Sequence, residues 1–140
     1  MFLLDVNVLI ALVDENHAHH ELVTNWFVAH KRDGWATCPI VENGFVRIIG
    51  HPKYPDGPQS TEAARALLAK LCQAPGHQFW PDSLSVRDKQ KSGALPASKH
   101  LTDHYLLMLA VAHKAQLATL DQRIDPPAIP RSQTTLCVIR

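Results

Sequence analysis

Two short apolar runs, Met1-Phe-Leu-Leu4 and Leu117-Ala-Thr-Leu120, each stop at an aspartate, Asp5 and Asp121. A brief continuous apolar run with no polar alternation reads as a strand buried on both faces. Helical spacing follows the first run at once, over residues 7–13. Short buried strands alternating with helices imply an α/β fold with a mainly parallel central sheet. Right-handed connections then place helices on both faces of it.

The rest of the chain fits this alternation. Asp14-Glu-Asn16 makes a turn, and Asn16 is positioned to cap a helix over 17–32 with the stripe Leu22, Val23, Trp26 and Phe27. Gly34 stops that helix before a strand at 35–38. Pro39 suits the first position of a helix over 39–50, where its missing N–H is no loss. A proline-rich loop spans 51–59. Ser60 caps a helix with the stripe Ala64, Leu67, Leu68 and Leu71, and Pro75-Gly76 ends it. A third strand is predicted at 77–80, a short helix near 84–91, and a strong helix capped by Thr102 and running to 115. Strands at 116–119 and 135–139 flank an irregular segment at 125–130. Trp26, Phe27, Leu67 and Leu71 fit either the core or a second copy.

At 140 residues, with 46% apolar and 19% charged side chains, residues 1–140 form one domain with enough apolar material for a core. The N-terminal run lacks a basic start and is broken by Asp5 and Asn7, which argues against a signal peptide and against a membrane span. Cys38, Cys72 and Cys137 are odd in number and far apart, with no disulfide framework or zinc spacing. They suit a reducing cytoplasmic setting. The net charge is +1, but that total includes any acidic site. Beyond four acids gathered in one place the chain is basic, which suits a polyanion held near a metal.

Those four acids are Asp5, Glu42, Asp103 and Asp121. Asp5 and Asp121 fall at strand carboxyl ends, where open α/β sheets bind ligands. From Glu42, positions i+3, i+4 and i+7 are Phe45, Val46 and Ile49; from Asp103 they are Leu106, Leu107 and Ala110. Both acids thus lie on the core-facing stripe, in the first turn of a helix. Carboxylates crowded together repel and raise one another's pKa, and magnesium, or manganese in its place, relieves the conflict. Such an ion orients a water and stabilises charge on a phosphate in an in-line displacement.

Leu3-Leu-Asp-Val-Asn-Val-Leu-Ile-Ala-Leu12, Thr37-Cys-Pro-Ile-Val-Glu-Asn-Gly-Phe-Val-Arg47, Leu101-Thr-Asp-His-Tyr-Leu-Leu-Met-Leu-Ala110 and Leu117-Ala-Thr-Leu-Asp121 resemble, in order, the successive motifs of PIN-domain ribonucleases, most of all VapC toxins of bacterial toxin–antitoxin pairs. The resemblance spans residues 3 to about 123. It aligns the family's four acidic positions with Asp5, Glu42, Asp103 and Asp121, and its supporting polar positions with Asn7 and Thr119. It implies magnesium-dependent endonucleolytic cleavage of RNA, a homodimer, and a cognate antitoxin that blocks the site. Asp5, Glu42 and Asp103 are then the core ligands, with Asp121 serving a second ion or acting through a water. After Asp121 the chain departs from the commonest pattern, with Gln-Arg-Ile-Asp-Pro-Pro following.

Two other functions compete: a catalytically inactive PIN domain that binds a protein, and a receiver-like phosphoacceptor domain. The latter lacks its acidic pair near Asp5 and its strand-end lysine. Arg47, one turn beyond Glu42, reads as a surface or interface arginine within range of phosphate. Asp82 reads as a turn former. His104 is not needed as a base where a metal activates water, and His17, His19 and His20 do not share one helix face.

Overall fold

The two apolar runs lie side by side at the centre of one sheet. In the computed structural model, which describes residues 1–124, 129 and 135–140, Phe2–Leu4 (β1) pairs in parallel with Gln116–Thr119 (β4), Leu3 facing Leu117. On its other side β1 pairs with Trp35–Thr37 (β2), which pairs with His77–Phe79 (β3). Leu136–Val138 (β5) closes the far edge against β4, so the order is β3-β2-β1-β4-β5, all parallel. Leu3, Leu4, Ala36, Leu117 and Ala118 are fully buried, as strands covered on both faces must be.

Val6–Val13 (α1) and His20–His30 (α2) link β1 to β2, and Pro39–Ile49 (α3) and Thr61–Leu71 (α4) link β2 to β3. Lys89–Ser92 (α5) and Leu101–Ala112 (α6) then carry the chain back from one edge to β4. The reversal puts α5 and α6 on the face opposite the first four helices, because each crossover is right-handed. The chain leaves β1 and β4 in opposite directions, and that divergence opens a crevice at their carboxyl ends. A receiver-type sheet runs 2-1-3-4-5, so the observed order excludes that alternative.

Several local expectations shift. α2 begins at His20 rather than 17, because the Asp14 carboxylate takes the Asn16 N–H (2.9 Å) and the turn continues through His19. α5 starts at Lys89 because Asp88 accepts from the Gln90 and Lys91 N–H groups. Thr102 does not cap α6: a 3-10 turn, Ser98–His100, runs straight into Leu101. Nor does α6 present one stripe. His104 through Ala110 are all buried, so this helix is core on every side. Phe27 joins the core, Trp26 packs edge-on against Phe2, and Leu67 stays partly exposed. The irregular segment expected at 125–130 lies outside the described residues except for Ile129.

Candidate active site

β1 stops at Leu4, and Asp5 becomes the N-cap of α1. Its backbone stays extended, and its N–H still bonds the Ala118 carbonyl (3.0 Å), so the ladder with β4 continues to the site. One carboxylate oxygen of Asp5 accepts from the Val6 N–H (2.7 Å). The other accepts from the Thr119 hydroxyl (2.7 Å) and the Asn7 amide (3.2 Å). Asn7 also takes the Leu120 N–H on its carbonyl (3.1 Å), and Thr119 Oγ1 takes the Asp121 N–H (3.0 Å). Asn7 and Thr119 thus tie the end of β1 to the end of β4 and hold the first carboxylate in one orientation.

Asp5 is 6% exposed. Burial pushes its pKa up, the Thr119 and Val6 hydrogen bonds pull against that, and the charge of Asp121 adds to the rise. Asp103, in the first turn of α6, is half-buried and is pushed up to about 6, first by burial and then by the charges of Asp5 and Asp121. Asp121 goes the other way. Arg123 forks onto it, Nε at 3.1 Å and a terminal nitrogen at 3.2 Å, and holds its carboxyl below the usual range. Three of the four predicted acids therefore act on one another at the β1–β4 crevice.

Glu42 is turned elsewhere. It lies in the first turn of α3, and its Oε2 accepts from the buried Thr37 hydroxyl at the end of β2 (2.5 Å). The same hydroxyl lies 2.8 Å from His77 Nε2. Glu42, Cys72 and His77 each present a ligand atom, all within 4.8 Å of one another. No Cys/His spacing in the sequence announces this group, because its members come from α3, the end of α4 and the start of β3.

Arg123 also escapes a reading by motif, since it falls in the segment after Asp121 that departs from the common pattern; its signal is the i+2 spacing from an acid at a strand end. With Asp103, His100, Leu107 and Ile124 it lines a cavity of about 210 Å³. His104 is structural: its Nε2 lies 2.7 Å from the Ser92 carbonyl and fastens α6 to α5. Arg47 and Asp82 are exposed. Asp82 acts on the Cys38 thiol, whose pKa burial pushes up to about 12.

The PIN domain family matches residues 2–129. Ribonuclease VapC44 of Mycobacterium tuberculosis is 44% identical over 130 residues, covering 91% of each chain. Ribonuclease VapC38 of the same species is 37% identical over 134 residues, covering 96% of this chain and 94% of that one. The chain belongs to the VapC-type PIN-domain family. A crystal structure of VapBC2 from Rickettsia felis, bound to a DNA fragment from its promoter, shares the PIN fold at a TM-score of 0.64 and 15% identity, over 99% of this chain and 98% of that one. Among the described residues of this PIN domain, no helix is long and apolar enough to cross a membrane.

Proposed function

We propose that this PIN domain is a magnesium-dependent endoribonuclease and the toxin of a toxin–antitoxin pair. One observation supports the reading above the rest. Asp5, Asp103 and Asp121 feel one another's charge at the β1–β4 crevice, and Asp103 is held near 6 by burial and by its neighbours' charge. Among the described residues, Arg123 is ion-paired with Asp121. Oxygen donors crowded by like charge fit a hard divalent cation, magnesium or manganese. Asp5, Asp103 and Asp121 would hold it, with Glu42 joining after a side-chain rotation away from Thr37. When bound, the ion supplies Lewis-acid activation of water and neutralises charge on the scissile phosphate.

The chain's own groups prepare that chemistry. Thr119 and Asn7 fix the Asp5 carboxylate, which spares reorientation during reaction. Arg123, 80% exposed in its side chain, is free at its outer edge to meet a backbone phosphate of RNA. The relatives named ribonuclease support RNA as substrate, and the VapBC structure supports a cognate antitoxin as partner. We place the protein in the cytoplasm as a homodimer, with exposed Val28 and Leu67 on α2 and α4 as apolar surface available to a second chain.

Purified protein should cleave RNA in magnesium and stop in EDTA. Asp5→Asn and Asp103→Asn should each lower cleavage by at least about a hundredfold, on the scale of losing one transition-state contact, with the circular dichroism spectrum unchanged. Full activity in Asp5→Asn protein would overturn the assignment.

A further inference from the structure

We propose that Glu42, Cys72 and His77 form a second cation site, selective for zinc-class ions over magnesium. The three ligand atoms lie within 4.8 Å of one another, and all three residues are half-buried, open enough for an ion to enter. Tetrahedral zinc, with bonds of about 2.0–2.3 Å, holds its ligand atoms roughly 3–4 Å apart. Binding therefore requires the ligand atoms to draw together, by rotation of the Glu42 and Cys72 side chains.

The backbone positions are fixed. Cys72 caps α4, its N–H bonded to the Leu68 carbonyl (3.0 Å). His77 opens β3, paired with Trp35, and its ring lies against the Trp35 ring at 4.6 Å. Fully buried Thr37 sits at the centre of the group. Its single hydroxyl proton goes to Glu42, so in this form His77 Nε2 donates to Thr37. Burial keeps the His77 ring neutral-prone, as a ligand must be, and the Cys72 thiol protonated. Binding therefore displaces the thiol proton to solvent and moves the imidazole proton to Nδ1 or breaks its bond to Thr37; no oxidation is involved. A thiolate and an imidazole select a borderline-soft ion, whereas magnesium prefers the all-oxygen aspartate cluster. Three protein ligands leave the fourth position to water.

Glu42 would then serve the zinc-class ion and be withdrawn from the acidic crevice. That consequence rests on the nuclease reading; the binding itself does not.

The test uses the intact, reduced, metal-free chain titrated with Co²⁺. Binding at this site gives a thiolate-to-cobalt charge-transfer absorption that Cys72→Ser abolishes and Asp5→Asn retains. In competition against a chromogenic chelator, zinc affinity should fall by at least about tenfold in Cys72→Ser and in His77→Ala, since losing a ligand costs no less than losing its outer partner. Circular dichroism verifies that each variant folds. Absence of the charge-transfer band in wild-type protein, or its survival in Cys72→Ser, would overturn the proposal. An intact band in protein that, once stripped of that ion, still fails to cleave RNA in magnesium supports the zinc site and counts only against the nuclease.

Discussion

Asp103 is a side chain whose charged state the fold opposes. Its pKa is about 6 in the folded protein against 3.8 ordinarily, because burial and the charges of Asp5 and Asp121 oppose ionisation. The folded protein thus holds this proton more tightly than the unfolded chain does. Asp103 favours folding at low pH, and the contribution is lost as pH rises through about 6. In EDTA, Asp103→Asn should therefore melt higher than wild type at pH 7.5, and the gap should narrow as pH falls through 6 toward 4. Thermal melts across that range check it, and an equal gap at every pH would refute the electrostatic account. The place of Asp103 in the first turn of an apolar helix is legible from the run that follows it, Leu106, Leu107 and Ala110. Its neighbours' charge is not, since Asp5 and Asp121 are distant in the chain. Arg123 differs: its partner Asp121 is two residues away, so their pairing is local and owes nothing to the strand order.

α1 and α3 approach closely at Gly44, and that contact sets how α1 presents Asn7 to the site. A Cβ at Gly44 would stand 2.9 Å from Val6 Cγ2. Val6 is β-branched and short, so it has little freedom to yield. Gly44→Val should cost about 1–3 kcal/mol through overpacking, more than the few tenths it gains in helix propensity. Thermal denaturation measures the loss, and RNA cleavage should fall with it as Asn7 and Asp5 move. Gly44 lies inside a motif that resemblance alone marks; the contact with Val6 supplies its physical reason. Helix ends were less legible than helix interiors. Ser60 caps α4 as its type and spacing predict, accepting from the Ala63 N–H (3.0 Å). Asn16 and Thr102 are equally good caps by type, yet a competing carboxylate and a preceding 3-10 turn move both starts.

Across the molecule, the strand order brings the ends of β1 and β4 together and packs α6 against both strands. Asp5 and Asp103 there resist ionisation, so a bound cation would offset a cost that the fold imposes. Magnesium should therefore stabilise the whole domain: at a hundred times its dissociation constant, linkage contributes about 2.7 kcal/mol. The melting temperature should rise with magnesium in wild type and rise far less in Asp5→Asn. No magnesium-dependent shift in wild type would count against binding at the crevice.

Local physics was enough for the alternation of short buried strands and helices, because the brief apolar runs are bounded by turn formers and the longer ones carry helix caps and breakers, and for placing Asp5 and Asp121 at strand ends. Neighbourhood was another matter. Asp103 reaches Asp5 and Asp121 because the chain reverses across the sheet, while Glu42, on the same kind of helix stripe, meets Thr37, Cys72 and His77 instead. A stripe specifies which face a carboxylate takes; only the packing of distant elements specifies what charge or donor waits there.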